Sequence, residues 1–128
     1  METKDVVNKM STQEVANRWL EMCNQGQFIE CVNELYADNI ISKEMPGTPD
    51  DHVTGKQNVI EKSNKWLDSV QEFHGGEISE PVIAQNHFTC KMSFDISFKE
   101  SGRQLMEEVC VFEVNDGKII NEQFFYSI

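Results

Sequence analysis

Two carboxylates, Asp95 and Glu108, are the residues best suited to chemistry in this sequence. They lie in consecutive segments in which apolar and polar residues alternate, as in neighbouring strands of a sheet. If residues 100–103 form the loop between the two segments, Asp95 lies opposite Glu108 on one face, and a loop one residue longer reverses this pairing. Two carboxyl groups side by side in a water-poor cavity do not both ionise easily, so one pKa should rise. The pattern predicts a proton-sharing pair that orients or protonates a small polar ligand. The competing interpretation is that both are solvated or ion-paired, with Lys91 close by.

The dipeptide Asp116-Gly117 predicts a two-residue hairpin turn. Counting back from this turn assigns four further side chains to the face of Glu108, where they are expected to contact a ligand: Cys110, Phe112, Gln123 and Phe125.

Two tryptophans and one histidine complete the candidate ligand-binding residues. Trp19 and Trp66 lie on the apolar faces of predicted helices, where they fill the core or form a pocket wall. His74 follows the longest predicted helix and either caps its carbonyl end or lines the pocket. No histidine or cysteine spacing matches a metal site, and no nucleophile motif or phosphate-binding glycine loop is present, so neither a metal nor a cofactor is predicted.

The elements that position these residues change from helical to strand periodicity along the chain. A capping box at residues 11–14 begins the first helix, a shorter helix follows from Phe28, and a strand runs over residues 39–45. Gly55 precedes the longest helix, and Gly75-Gly76 is predicted to lie just beyond its end. Four strands follow, over residues 77–84, 87–98, 104–115 and 118–128. Because long strands twist and curl, the pattern predicts an α+β fold in which a curved antiparallel sheet wraps around three N-terminal helices and a central pocket.

Length, net charge and cysteine content limit the classes of protein to which this chain can belong. The 128 residues suit a single domain, and a formal net charge of −11 argues against nucleic acid and anionic membrane surfaces as partners. No membrane-spanning stretch or signal peptide is evident, and the four scattered cysteines favour a reduced, cytoplasmic protein. The apolar stripe along residues 88–98 is wider than one helix covers, so part of it is expected to pack on the helices or to form a homodimer interface.

Several segments together resemble the SnoaL-like branch of the nuclear transport factor 2-like superfamily. They are Leu35-Tyr36-Ala37-Asp38-Asn39, Ser42-Lys43-Glu44, Gly55, residues 113–120 and Gln123-Phe124-Phe125-Tyr126. The resemblance covers nearly everything from Ser11 to Tyr126, so residues 1–10 are assigned as an N-terminal extension and residues 11–128 as one domain. It implies a cone-shaped domain with a pocket at its open end, an inward-pointing Glu44 beside the other carboxylates, and a homodimer that forms through the sheet.

Three functions remain open at this point, because relatives with this fold include enzymes as well as binding domains. The first is a small-molecule-binding domain with a partly polar, acidic pocket. The second is a carboxylate acid–base enzyme, an isomerase, cyclase or dehydratase, acting on a small polyketide-like or steroid-like substrate. Ketosteroid isomerase has a similar fold but uses a tyrosine that the first helix here, with Trp19, does not supply. The third is a protein-interaction module.

Overall fold

Residues 9–127 are described by the structure, a computed structural model. This range contains three helices, α1 (Thr12–Asn24), α2 (Phe28–Leu35) and α3 (Lys56–Ser69). It also contains seven strands: β1 (Tyr36–Lys43), β2 (His52–Thr54), β3 (Val70–Ile78), β4 (Val82–Ala84), β5 (His87–Phe98), β6 (Gly102–Asn115) and β7 (Lys118–Phe125). None of the helices in this range is long and apolar enough to cross a membrane.

The seven strands form one curved sheet in the order β2-β1-β7-β6-β5-β3, with β4 also paired to β5. Every pairing is antiparallel except that of β1 with β7, which is parallel. The predicted α+β fold with a curved, largely antiparallel sheet is confirmed, and the parallel pairing of β1 with β7 is an addition that was not predicted. The helices pack against one face of the sheet, called here the inner face. The opposite surface is called the outer face.

The core lies between α1 and the inner face of the sheet. Trp19 is 3% exposed, and its ring centroid lies 4.8 Å from that of Phe112 and 5.8 Å from that of Phe88. Phe88 and Phe112, which are register partners on β5 and β6, stack with centroids 4.6 Å apart. The apolar stripe that begins at Phe88 therefore faces the helices, and its first half is core.

The turn between β5 and β6 is tighter than predicted. Gly102 pairs with Phe98, leaving three residues in the turn, and Gly102 has φ of 83°, a conformation that glycine adopts readily. The register consequently pairs Asp95 with Leu105 and Glu108 with Met92. The shift from the predicted pairing is an odd number of residues, so Asp95 and Glu108 lie on opposite faces.

The turn between β6 and β7 follows the prediction, but the strand beyond it does not. Val114 pairs with Ile119 as expected from a two-residue turn, whereas Glu113 then pairs with Asn121. Ile120 is the extra residue of a β-bulge, and a bulge reverses the faces of all residues that follow. Glu122 and Phe124 therefore lie on the inner face, and the predicted inward pair Gln123 and Phe125 lies on the outer face.

The predicted break at Gly75-Gly76 is wrong. Helix α3 ends at Ser69, β3 begins at the next residue, and both glycines lie inside β3, opposite Asp95 and Phe94. The Phe94 ring lies directly over Gly76, where a Cβ atom would be 2.3 Å from its Cδ1 atom and 3.0 Å from the Ser93 carbonyl oxygen. Gly76 is present because there is no room for a side chain.

This close approach predicts that Gly76→Ala lowers the free energy of unfolding by about 1–3 kcal/mol, the usual cost of overpacking. Gly75→Ala is the matched control, since a Cβ atom there meets nothing within 4 Å. Urea unfolding of both variants provides the measurement. Equal stabilities for the two variants would contradict the steric explanation.

Candidate functional site

A buried carboxylate, Glu122, occupies the inner face of β7 and is only 4% exposed. The bulge at Ile120 turns it inward, and the parallel pairing brings Ser42 of β1 directly alongside it. Tyr36 donates its hydroxyl hydrogen to Oε1, and Ser42 donates to Oε2 at 2.7 Å. Both carboxylate oxygens are therefore hydrogen-bonded, as a buried acid requires.

Lys62 of α3 connects this carboxylate to a second one. Its Nζ atom donates to Ser42 Oγ at 2.9 Å and lies 2.7 Å from Glu44 Oε2. Tyr126 donates to the other Glu44 oxygen at 2.8 Å. The same ammonium lies 5.5 Å from the centre of the Phe124 ring.

These contacts form one continuous set of hydrogen bonds and ion pairs, called here the lysine–carboxylate network. Its members are Tyr36, Ser42, Glu44, Lys62, Glu122 and Tyr126. The Lys62 and Glu44 side chains are each 18% exposed, so the network extends from the buried interior to the solvent.

Glu108 lies beside the network on the inner face of β6 and is partly buried. Burial and the nearby carboxylates of Glu44 and Glu122 raise its pKa from 4.5 to about 7, against the opposing effect of Lys62. Burial also raises the pKa of Glu122, although its hydrogen bonds from Tyr36 and Ser42 act in the opposite direction. A group with a pKa near neutrality can either donate or accept a proton at physiological pH.

An aromatic cluster lies on the same side of the sheet, and α3 connects it to the network. Trp66 is one helical turn beyond Lys62. Phe94 is the register partner of Met106, which is the next inward-facing residue to Glu108 on β6. The cluster consists of five rings in contact, with centroids 5.9–6.5 Å apart: Phe28, Trp66, Phe73, Phe94 and Phe98. Phe73 is 43% exposed, so the cluster presents an aromatic surface to solvent.

The predicted pair of Asp95 and Glu108 does not form, because the tighter β5–β6 turn puts the two residues on opposite faces. Asp95 accepts hydrogen bonds at 3.0 and 2.8 Å from the Arg103 guanidinium. This cation lowers the pKa of Asp95, contrary to the shift expected of a proton-sharing pair. Glu108 has its pKa raised, but its neighbours are Glu44 and Glu122.

The other predicted site residues divide between the two faces. Glu44 faces the inner side, as the resemblance implied, and Trp66 belongs to the aromatic cluster. Trp19, Cys110 and Phe112 are inward but buried in the core, at most 3% exposed. Gln123 and Phe125 lie on the outer face because of the bulge. A role for any of these residues in ligand binding stays a prediction.

His74 is neither a helix cap nor a residue of the inner face. It lies in β3, and its Nε2 atom is 2.7 Å from Ser97 Oγ of β5. It follows the inward-facing Phe73 and contacts a serine of the outer face, so its side chain lies on the outer face. The helix it was expected to follow ends five residues earlier, at Ser69.

Most of the network was missed by sequence reasoning. Lys62 carried a readable signal, because it is three residues after Val59 and four before Trp66, on the buried side of α3. No sequence pattern indicated a role for Glu122, because the predicted register had no bulge and assigned this residue to the outer face. Tyr36 and Ser42 are separated from it by 86 and 80 residues.

Two depressions open on the outer face, with volumes of about 390 and 350 Å³. The first is bordered by β1, β7 and the turn between β6 and β7, and the second by β3 and β5. Neither is lined by the network or the aromatic cluster. Within residues 9–127, no three histidine, cysteine or acidic side chains are grouped to hold a metal ion.

Solved structures first define the class of fold. This chain is similar to a protein of unknown function with a cystatin-like fold from Xanthomonas campestris, at a TM-score of 0.78 and 15% identity over 93% of this chain and 92% of that one. An NTF2-like protein from Burkholderia thailandensis gives a TM-score of 0.78 at 12% identity, over 92% of each chain. The structure thus has the NTF2-like α+β fold.

The family is defined by closer matches. A family model for the SnoaL-like domain matches residues 10–126. A candidate SnoaL-like polyketide cyclase from Mesorhizobium loti is 32% identical, with a TM-score of 0.86 over 91% of this chain and 100% of that one. The chain belongs to the SnoaL-like domain family. A search of proteins with curated descriptions found no match.

The raised pKa of Glu108 predicts a pH-dependent stability. Between pH 4.5 and about 7 the folded protein binds more protons at this group than the unfolded chain does, so the free energy of unfolding should fall as pH rises. Glu108→Gln should remove roughly 2–3 kcal/mol of this decrease. Urea unfolding at pH 5 and pH 8 provides the measurement.

Glu107→Gln is the matched control, because Glu107 is the adjacent residue and is exposed on the outer face. It should leave the decrease intact. If Glu108→Gln retained the full decrease, Glu108 would not be the group responsible.

Proposed function

We propose that this chain is a small-molecule-binding domain whose ligand lies on the inner face, between α3 and the sheet. The observation that carries this proposal is the position of Glu108, which is partly buried and has no hydrogen-bond partner among the described residues. It lies between a network whose donors are already engaged and an aromatic surface. No buried side-chain oxygen of the described residues lacks a hydrogen-bond partner, so the Glu108 oxygens are open to solvent, where a polar group of a ligand can reach them.

The two sides of this proposed site differ in chemistry. The aromatic cluster, with Trp66 and the exposed Phe73, suits the apolar or planar body of a ligand. Glu108 suits a single polar group at one end. A body of several rings with a polar substituent meets both requirements, and the Mesorhizobium loti relative, a candidate polyketide cyclase, is consistent with such a ligand.

An acid–base enzyme is the second candidate, and the pKa of Glu108 near 7 favours it. A carboxyl group poised near the working pH can transfer a proton to or from a carbonyl compound, as isomerases, cyclases and dehydratases require. The ion pair between Lys62 and Glu44 would keep its position beside Glu108 during that transfer. Turnover that Glu108→Gln abolishes while the fold stays intact would distinguish this function from binding alone.

A neutral probe tests the binding site itself. 2-Naphthylmethanol, a planar two-ring alcohol, should bind saturably with one molecule per chain, measured by isothermal titration calorimetry. Phe73→Ser should weaken binding at least about fivefold, because it removes the exposed ring of the aromatic cluster. Val82→Ser is the control, since Val82 is equally apolar and 66% exposed but lies on β4. Binding that Phe73→Ser leaves unchanged would place the site elsewhere.

We also propose a homodimer that forms through the outer face of the sheet. The alternative interface suggested by the stripe along residues 88–98 is not supported, because that stripe faces the helices. The outer face instead exposes Leu105, Val109 and Phe125, at 69%, 45% and 44%. Val109 and Phe125 are register partners, so these apolar side chains lie together and suit a two-fold contact.

Light scattering after size-exclusion chromatography tests the dimer. The wild-type chain should run as a dimer at micromolar concentration, and Val109→Glu should convert it to a monomer by burying a charge in the contact. Phe73→Glu, which introduces the same charge at an exposed apolar side chain of the inner face, should remain dimeric. A monomeric wild type, or a dimeric Val109→Glu, would overturn the proposal.

A cytoplasmic location is part of the same proposal. Cys23, Cys31, Cys90 and Cys110 are all buried free thiols, a state that a reducing compartment maintains. The net charge of −11 continues to argue against nucleic acid or an anionic membrane surface as a partner.

A further inference from the structure

Glu108 forms no ion pair with a positively charged side chain of the described residues. Three carboxylates lie on the inner face: Glu44 directly after β1, Glu108 on β6 and Glu122 on β7. The cation that faces them, Lys62 of α3, is already held by Glu44 and Ser42. The nearby hydroxyl donors are also engaged, Tyr36 with Glu122 and Tyr126 with Glu44.

Lys62 shows which chemistry this region accommodates. Its ammonium lies 2.7 Å from the Glu44 carboxylate and 5.5 Å from the centre of the Phe124 ring. A carboxylate and an aromatic face together stabilise a cation, the first by charge and the second by the ring quadrupole. Glu108 and the aromatic cluster offer the same two kinds of group, and no ammonium or guanidinium of the described chain pairs with Glu108.

We propose that the ligand of this site is a protonated amine carried on an apolar or aromatic body, with its ammonium group donating to Glu108. This inference rests on the proposed function and names the ligand class of the same site. A ligand carboxylate is disfavoured, because it would meet the surplus negative charge of Glu44, Glu108 and Glu122 while Lys62 is already occupied.

Binding of an amine is coupled to the ionisation of Glu108. Above pH 7 the carboxylate is present and pairs with the ammonium directly, whereas at pH 6 it must first release its proton. Amine affinity should therefore rise from pH 6 to pH 8. The affinity for a neutral alcohol should not rise with it, because a protonated carboxyl group also hydrogen-bonds to a hydroxyl group.

Three probes with the same two-ring body test the ligand class: 2-naphthylmethylamine, 2-naphthylmethanol and 2-naphthoic acid. At pH 8 the amine should bind the wild-type chain at least about tenfold more tightly than the alcohol, by calorimetry, and the acid should bind more weakly than either. In Glu108→Gln the preference for the amine should fall to about twofold or less. Glu107→Gln, with its charge removed on the outer face, should keep the full preference.

The outcomes separate this inference from the proposed function. Equal binding of amine and alcohol, or tighter binding of the acid, would overturn the amine class while the binding site stands. An amine preference that survives Glu108→Gln would overturn the role of Glu108. If none of the three probes binds at millimolar concentration, the proposed site itself is wrong.

Discussion

The burial of one carboxylate, that of Glu122, is the constraint on which the rest of the inner face depends. A charge or an unpaired polar group in that position would cost several kcal/mol, so every neighbour is arranged to satisfy it. Tyr36 and Ser42 supply the two donors, and both come from β1. Their contact requires β1 to lie beside β7 in the parallel register that the structure has. The contact of Tyr36 and Ser42 with Glu122 therefore links the strand order of the sheet to the polar character of its interior.

Lys62 extends this constraint from the buried interior to the surface. Because its ammonium contacts both Ser42 and Glu44, the position of α3 over the sheet is tied to one residue of β1 and to the residue that directly follows this strand. Trp66, one turn further along α3, then places the aromatic cluster at a fixed distance from the charged groups. A shift of α3 along the sheet would separate an ion pair and disturb aromatic packing together, so the geometry around Glu108 is held by both polar and apolar contacts.

The sequence contained enough information for the fold and too little for the site. Alternation along residues 87–98 and the turn at Asp116-Gly117 are local signals, and both elements form where predicted. The inward direction of Gln123 and the pairing of Asp95 with Glu108 depended on counting residues through turns, where an odd error exchanges the two faces of a strand. The bulge at Ile120 and the turn ending at Gly102 each introduced such an error. A bulge is stabilised by tertiary contacts, here the burial of Glu122 against β1, which no local pattern reveals.

The parallel pairing of β1 with β7 also bears on how the chain reaches its folded state. Tyr36 and Glu122 are 86 residues apart, so the strand that supplies the donors is synthesised long before the strand that supplies the acceptor. Contacts of such high sequence separation carry a large loop-closure cost and form late in folding. During that interval the edge of β1 that later pairs with β7 is unpaired, and the hydroxyl groups of Tyr36 and Ser42 lack their Glu122 acceptor. The assembly of the polar interior is therefore the step that completes the domain, and a nascent chain acquires it only after β7 has been made.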